Sequence, residues 1–381
     1  MAAKVTRVLR REGVVAGSRH VAAEAVNRLR AAARVRRMRL ADYRPVSQLV
    51  VPQTEIKTPR HRAIDAHNHL GREFGGNWIA RPIRELLDVM DEVHLEMLVD
   101  LDGGWGETIL EQHLDYFKAA APERFQVFGG VDWSQWPAQG DRFGEWAARR
   151  LEAQVQRGAQ GLKVWKSLGF TARDQHGALV AVNDPRLDAL WATAGQLGVP
   201  VLMHVADPVA FFEPVDRTNE RFESLARHPE WSHWRRGVSP FSVLIEQFAD
   251  LILRHPGTTF IGAHVGCYAE NLGWVSRLLE RAPNLYVDIS ARLAELGRQP
   301  HTARRFCLQH RDRILFGVDE IPRRDIYRLY YRFLESEDDY FDYDPEGRPL
   351  NGRWKVYGLN LPDDVLRALY YENARRVLAP G

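Results

Sequence analysis

Apolar and polar positions follow two alternating periods along the chain after Pro59. Short runs rich in β-branched residues recur, and amphipathic stretches with a helical period, such as 82–93, 142–158 and 241–257, separate them. The short runs predict eight strands, at 63–69, 96–102, 125–133, 161–167, 200–207, 258–266, 285–291 and 314–320. Because apolar strands joined by helices form parallel sheets with helices outside, the pattern predicts an α/β fold, a (β/α)8 TIM-like barrel.

A doubly wound open sheet is the structural alternative. That fold would place a glycine-rich phosphate-binding turn after the first strand. The sequence there, HNHLGREFGG at 67–76, lacks the required glycine spacing, so the barrel is favoured. Local signals agree with alternating helices and strands: Asp184 and Pro185 are typical of a helix start, and Gly198 is typical of a helix end.

The pattern divides the chain into a basic, helical N-terminal extension, 1–55, and a metal-dependent barrel, 56–381. Two connections are too long for plain barrel loops, at about 208–240 after strand five and 321–362 after strand eight. Both follow the carboxyl ends of strands, so they are expected on the face where barrels carry out chemistry. The second connection is rich in aromatic residues, for which packing is the simpler interpretation.

Charge is distributed unevenly, although the net charge is only +2. Residues 1–40 carry a balance of +9 and the remainder carries −7. The segment 21–40 predicts a helix that is solvated or packed on a partner, with contact to a membrane surface as the alternative. We expect no nucleic acid partner. Two cysteines exclude a disulfide framework, and no apolar window is long enough to span a membrane, so a cytoplasmic protein is expected.

Titratable side chains stand at the carboxyl ends of several predicted strands. His67 and His69 lie two residues apart, which puts both on one face of strand one. Such a pair is weak evidence alone, but His204, His264 and Asp319 end strands five, six and eight. In a barrel these ends converge on one mouth. Three histidines and one carboxylate match a catalytic zinc site that leaves room for a water molecule.

The motifs IDAHNH, GLKVWK, LMHVAD, FIGAHVG and LFGVDE, in this order, resemble the amidohydrolase superfamily. The similarity is to its amidohydrolase-related branch of metal-dependent hydrolases and aminocarboxymuconate-semialdehyde-decarboxylase-like proteins, over about 60–381. The resemblance implies metal ligands at His67, His69, His204 and Asp319. It also implies that Asp319 moves protons, and that His264 acts on the substrate or binds a second metal.

In binuclear relatives a carbamylated lysine on strand four bridges two metals, and this position falls at Lys163. Lys166 lies an odd number of residues away and faces the other side of the strand. We expect one divalent metal per chain, Zn²⁺ rather than Mn²⁺, with Lys163 unmodified.

The resemblance and the strand-end residues together predict an enzyme that acts on a small molecule. The expected reaction is hydrolysis of an amide, ester or lactone through a metal-activated water. Decarboxylation of a small aromatic or unsaturated carboxylic acid is the alternative, since the same ligands support it. A non-catalytic metal-binding barrel is a second alternative. We expect the chain to form a homo-oligomer.

Other residues are weaker candidates for contact with substrate. Arg292, just beyond strand seven, and Arg217, in the connection after strand five, are able to pair with a carboxylate. Trp105 and Trp165 lie near strand ends and are candidates for the wall of a pocket. Asp65 is expected to face the same way as the histidine pair and to orient one of them. Five histidines in or beside helices are expected at the surface or in packing: His94, His113, His228, His255 and His310.

Overall fold

A computed structural model describes residues 14–39, 42–43, 45–72, 76–348 and 351–378. It divides the chain into two compact units, Met1–Val50 and Val51–Gly381. Residues 1–13 of the predicted extension lie outside the described part. No helix within the described ranges is long and apolar enough to cross a membrane.

All eight predicted strands are present, each shorter than the apolar run that indicated it. They are β1 Ala63–Asn68, β2 Leu95–Asp100, β3 Phe125–Val127, β4 Leu162–Val164, β5 Val201–Met203, β6 Phe260–Gly262, β7 Leu285–Asp288 and β8 Ile314–Leu315. The runs were longer because their last residues, which carry the titratable groups, extend beyond the paired backbone. His67 lies within β1, whereas His69, His204, His264 and Asp319 stand beyond the paired residues of their strands.

The strands are parallel and follow sequence order, as a barrel requires. Continuous pairing forms a three-stranded sheet, β1-β2-β3, and a five-stranded sheet, β4-β5-β6-β7-β8. A single parallel bridge between Gly129 and Leu162 links the two sheets on one side. On the other side Ala66 N donates to Phe316 O at 2.9 Å. The fold is a (β/α)8 barrel whose sheet is not continuous around the circumference.

Helices separate the strands and cover the barrel. Those of at least five residues in the second unit are Ile83–Glu92, Glu107–His113, Phe143–Gln156, Asp188–Gln196, Phe222–Arg227, Phe241–Arg254, Leu272–Arg281, Leu293–Arg298, Pro300–Gln309, Arg324–Glu335, Asp363–Arg367 and Asn373–Leu378. Two π-helical segments, Leu114–Lys118 and Ala368–Glu372, extend their neighbours. The predicted cap is confirmed, since the Asp184 side chain accepts from Arg186 N ahead of Asp188–Gln196.

The core has two layers. The larger joins the outward faces of the strands to the helices, and Phe241–Arg254 illustrates it by burying residues at helical spacing, among them Leu244 and Phe248. A second buried cluster takes alternate strand residues, including Ile64, Leu202 and Ile261. This separation is what a filled barrel interior produces, because successive strand residues point to opposite faces.

The two long connections both carry structure. Segment 208–240 contains the helix Phe222–Arg227. The first part of segment 321–362 was expected to be loop, and that expectation was wrong: it forms the helix Arg324–Glu335. The buried tyrosines Tyr327, Tyr330 and Tyr331 recur at helical spacing and pack on the barrel, so the helical period was present in the sequence.

The first unit contains one long helix, Val14–Arg37. It covers most of the segment 21–40 that the sequence predicted as helical, as expected from its alanine, leucine and arginine content. Its side chains at Val26 and Leu29 are exposed. An ion pair between Glu24 and Arg28, one helical turn apart, lies on its surface.

Candidate active site

The histidine pair lies at the carboxyl end of β1, where the pairing of this strand with β2 is irregular. The pairing of β1 with β2 shifts register between Asp65 and Asn68. The Asp65 carboxylate accepts from the hydroxyl of Tyr327 on an outer helix at 2.7 Å, whereas Nε2 of His67 lies 3.2 Å from Nζ of Lys163 in β4. The expectation that Asp65 orients an imidazole was wrong, because its carboxylate accepts from the Tyr327 hydroxyl, the Asn68 side-chain amide and the backbone N of His67 instead. Burial raises the pKa of Asp65 to about 7.

Two carboxylates hold the paired imidazoles. Asp288, at the end of β7, accepts from Nδ1 of His67 at 2.8 Å, and Asp102, beyond β2, accepts from Nδ1 of His69 at 2.6 Å. A carboxylate on Nδ1 fixes the tautomer, so the Nε2 lone pair is left for another partner. Burial holds the pKa of His67 well below its ordinary value, so this imidazole is neutral.

Asp319 stands where the histidines meet. Its Oδ1 lies 3.8 Å from His67 Nε2 and 3.5 Å from His69 Nε2, and its Oδ2 lies 3.7 Å from His264 Nε2. The backbone there is left-handed, with φ 52°, and Asp319 N donates to His67 O at 3.0 Å. Burial raises the pKa of Asp319, while His69 and Lys163 act against that increase. Strained backbone at such a position is typical of functional residues.

His264 is held by a turn of unusual handedness. Residues 264 to 267 all have positive φ, and Cys267 N donates to Ala263 O at 2.7 Å, which closes one left-handed turn after β6. His264 Nδ1 donates to Ser290 O at 2.9 Å. Burial keeps the pKa of His264 well below its ordinary value, so the ring is neutral and Nε2 carries a lone pair. In this state Nε2 accepts a proton or a metal, and a second proton would be needed for it to donate to an oxyanion.

His204 lies beside this group but outside its tightest part. Its ring centroid is 4.4 Å from that of His264, and Asp207 Oδ1 lies 3.6 Å from its Nε2. Burial lowers the pKa of His204 to about 3. Among described residues, His67, His69 and Asp319 form one group of three whose ligand atoms all lie within 4.8 Å of one another. His204 belongs to no such group of three or more.

The two lysines of the β4 region contact different groups, and Lys166 stands beyond the end of β4. Lys163 is buried, and its Nζ lies 3.2 Å from His67 Nε2. Burial lowers the pKa of Lys163 to about 8. Lys166 instead pairs with Asp207 at 2.7 Å.

The donor set at the centre fits one divalent metal ion. Ligand atoms about 2.0–2.2 Å from a metal lie roughly 3–4 Å from one another, which matches the distances from Asp319 to His67 and His69. Neutral imidazoles with their Nδ1 atoms held by carboxylates are the form that binds metals. His204 Nε2 is buried and has no hydrogen-bond partner among the described residues, which makes it available as a further ligand.

A cavity of about 580 Å³ opens above this centre. His204, His264 and Asp319 form part of its floor, and both long connections contribute to its wall. Apolar groups on the wall include Phe211 and Leu329. The volume suits a small molecule.

The weaker candidates are distributed unevenly around this cavity. Arg292 is buried and lines it, whereas Arg217 is exposed and does not. Arg221, from the same connection as Arg217, lines the cavity and pairs with the buried Glu295. Trp165 packs on the His69 ring at 5.0 Å, and Trp105 packs on Trp165 and donates to Asp102 at 3.0 Å. The two tryptophans therefore stabilise the position of His69, Trp165 by packing on its ring and Trp105 by donating to its acceptor Asp102.

Sequence reasoning missed several residues of the site. Asp102, Asp288 and Ser290 end or follow strands, so the strand-end rule that found Asp319 applies to them equally. His113, expected only as surface or packing, is buried and pairs with Asp100, a neighbour of the His69 support. Glu320 also lines the cavity, and burial, followed by the charge of Asp319, raises its pKa to about 7.

Comparison with known proteins gives one family. A family model described as amidohydrolase matches residues 64–379. A search of curated proteins found no match. A Staphylococcus aureus structure provisionally named an amidohydrolase is similar, with 17% identity, a TM-score of 0.53, and coverage of 83% of this chain and 99% of that one. A dihydroxybenzoic acid decarboxylase from a Polaromonas species, with bound manganese and 2-nitroresorcinol, has 16% identity, a TM-score of 0.51, and coverage of 83% and 96%. At these identities the two structures show the barrel fold alone.

Proposed function

The chain belongs to the amidohydrolase family, and on that premise we propose that it hydrolyses the amide, ester or lactone bond of a small molecule. The family is metal-dependent, with hydrolases and decarboxylases among the activities of similar proteins. The observation that carries the proposal is the position of Asp319, within 3.8 Å of the Nε2 atoms of His67, His69 and His264, on a cavity floor. A carboxylate so placed has basic nitrogens around it and open space above it.

The chain's own residues have distinct parts in this reaction. His67, His69, His204 and Asp319 would hold the metal, and Asp288 and Asp102 keep the first two imidazoles in the required tautomer. When bound, a divalent metal lowers the pKa of water and polarises a carbonyl group. We assign Zn²⁺ as the metal, one per chain, with Mn²⁺ as the alternative.

Proton movement falls to Asp319. One of its carboxylate oxygens takes the proton of the attacking water and later gives it to the leaving nitrogen or oxygen. Burial raises the pKa of Asp319, which makes the carboxylate a stronger base than an exposed one. His264 Nε2, with its lone pair directed to Asp319 Oδ2, accepts a hydrogen bond from the water and orients it.

Decarboxylation is the second candidate, and Glu320 is the observation that favours it. Its pKa is raised to about 7, mainly by burial, so near neutral pH a substantial fraction carries a proton. A protonated carboxyl beside the cavity floor is able to protonate a carbon that loses CO₂. Hydrolysis needs no such donor, since Asp319 returns the proton that it removed.

Purified protein loaded separately with Zn²⁺ and Mn²⁺ tests the proposal on a panel of amides, esters, lactones and aromatic carboxylic acids, with product analysis and CO₂ detection. Hydrolysis is expected, and Asp319→Asn should lower kcat by on the order of 10²–10⁴. Asp344→Asn, on the same cavity wall but paired with Arg348, is the matched control and should keep the rate within a few-fold. CO₂ release without hydrolysis would assign the protein as a decarboxylase. Bound metal without turnover across the panel would contradict both reactions and support a non-catalytic barrel.

A further inference from the structure

The cavity wall carries several cationic side chains, and most have a carboxylate partner. Four of them form ion pairs: Lys166 with Asp207, Arg221 with Glu295, Arg323 with Asp325 and Arg348 with Asp344. Their charges are therefore largely balanced within the protein.

Arg292 differs from these four. It lines the same cavity and is only 7% exposed. Its Nη1 donates to the backbone carbonyl of Ala291 at 2.8 Å. No acidic side chain within the described ranges lies close enough to form an ion pair with it. A buried guanidinium is costly unless a negative group compensates its charge, so its place on the wall of an open cavity indicates a ligand.

The surroundings of Arg292 indicate the character of that ligand. Leu293 and Ala294 follow it on the wall, and Ile326 and Leu329 come from the helix Arg324–Glu335. Apolar side chains therefore lie on the wall beside Arg292, whereas the charge of the nearby Arg221 is already paired with Glu295. Besides the Nη1–Ala291 contact, the guanidinium has further N–H groups in the planar arrangement that matches a carboxylate.

We propose that Arg292 binds a carboxylate of the substrate that takes no part in the reaction. The substrate class is then an acyl compound with a free carboxylate next to an apolar group, the hydrolysed bond lying over Asp319. This inference rests on the proposed function for the identity of the bond, and on Arg292 alone for the carboxylate.

Binding of an unreactive probe tests the carboxylate site directly. Benzoate and its neutral counterpart benzamide are titrated into metal-loaded protein by calorimetry. The wild-type protein should bind benzoate at least about tenfold more tightly than benzamide, because a charge-assisted hydrogen bond is stronger than a neutral one. Arg292→Met should abolish that preference, and Arg292→Lys should retain part of it, because lysine keeps the charge but not the planar donor pair.

Two controls make the binding result specific. Arg348→Met removes a paired arginine of the same wall and should leave the preference for benzoate intact. His204→Ala separates Arg292 from the metal as the site of the carboxylate. A preference that survives in Arg292→Met, or that disappears only in His204→Ala, would overturn the proposal. Arg292→Gln, with a thermal unfolding curve, replaces Arg292→Met if that variant does not fold.

Kinetics extend the test to substrate. For hydrolysed compounds compared as free acid and methyl ester, Arg292→Met should raise KM for the acid by on the order of 10–100-fold, with kcat changed only a few-fold and the ester unaffected. If the wild-type protein hydrolyses the acid and the ester with equal kcat/KM, the carboxylate site is refuted, whereas the proposed hydrolase activity is supported. A benzoate preference that depends on Arg292, in a protein that hydrolyses nothing, would refute the hydrolase and support the site.

Discussion

At the scale of single residues, the candidate site contains three imidazoles, each of which donates a hydrogen bond from Nδ1 to an oxygen of the protein. His67 and His69 present Nε2 because Asp288 and Asp102 accept from Nδ1. His264 does the same through Ser290 O. Each ring is thereby oriented so that its Nε2 lies within 3.8 Å of an Asp319 carboxylate oxygen. The site depends as much on these supporting acceptors as on the histidines themselves.

The first prediction concerns His204, which stands slightly apart from the other candidate ligands. We expect His204→Ala to lose most of its bound metal, since three protein ligands are already the minimum for a catalytic zinc site. Elemental analysis after gel filtration measures the metal per chain. His233→Ala is the control, because His233 also lines the cavity and contacts Asp207. Wild-type metal content in His204→Ala would remove this residue from the ligand set.

The second prediction concerns the stability cost of Lys163. Its pKa in the folded protein is about 8, below the ordinary 10.5, because burial disfavours the charged form. Below pH 8 Lys163 is charged in both the folded and the unfolded protein. The folded protein is then destabilised by the full free-energy cost of burying that charge. Between pH 8 and 10.5 the unfolded chain binds more protons, so stability rises with pH and the cost disappears.

In metal-free protein, Lys163→Met should therefore exceed the wild type in unfolding free energy below pH 8, by at most on the order of 3 kcal/mol. The difference should shrink as the pH rises toward 10.5. Urea unfolding at pH 7 and pH 9.5 measures it, and Lys166→Met, which loses an ion pair instead, should not be stabilised at either pH. Metal-loaded wild type and Lys163→Met should both hold one metal. Two metals in the wild type and one in the variant would instead indicate a bridging, modified lysine.

At the scale of elements, backbone strain collects where strands end. His264, Ala291 and Asp319 follow β6, β7 and β8, and each has a positive φ. A left-handed residue costs roughly 1–2 kcal/mol unless it is glycine. The strands and helices around these turns must supply that energy. In consequence, the three segments turn toward the cavity, which all three of these residues line.

The third prediction tests the left-handed turn after β6. Gly266 has φ 64°, and an added Cβ would meet nothing closer than 3.6 Å, so Gly266→Ala introduces strain without a clash. We expect a loss of about 1–2 kcal/mol in unfolding free energy, measured by urea denaturation. Gly273→Ala, in the helix Leu272–Arg281, is the control and should be neutral or stabilise by up to about 1 kcal/mol. Equal effects of the two substitutions would argue against strain as the cause.

At the scale of the whole molecule, the chain consists of two units of opposite charge. The barrel unit contains the whole candidate site, and the first unit contains the basic helix Val14–Arg37. The family model likewise begins at residue 64. The extension is therefore outside the part that the family shares.

The fourth prediction follows from this division. Deleting residues 1–40 should change the unfolding free energy by less than about 0.5 kcal/mol, which corresponds to roughly 2 °C or less in Tm. Thermal unfolding and metal content check this, and gel filtration reports any change in assembly. Deletion of 373–381 is the contrast: it removes the buried Val377 and Leu378 and should destabilise the barrel strongly. A collapse in soluble yield after the N-terminal deletion would show that the extension supports folding.

Local sequence pattern determined much of this protein. Short apolar runs predicted all eight strands, because a strand that is buried on both faces is apolar along most of its length. The rule that functional groups stand at strand ends selected His67, His69, His204, His264 and Asp319, since parallel strands bring those ends together in any barrel. The helix Arg324–Glu335 was not predicted, although its period is present in the sequence, because the segment 321–362 was interpreted as one long connection between the barrel and the chain end.

Tertiary structure decided the partners. The contact of Asp288 with His67 joins residues 221 positions apart, and no local pattern records such a pairing. Arg292 and Arg217 were both predicted to contact substrate, and no local pattern distinguishes them. In the structure Arg292 is buried without an acidic partner among described residues, whereas Arg217 is exposed. Burial and charge compensation depend on which segments meet in space. The sequence alone therefore fixes where the chemistry stands along each strand, whereas the tautomer, protonation and free charge of each group follow from contacts that only the closed barrel creates.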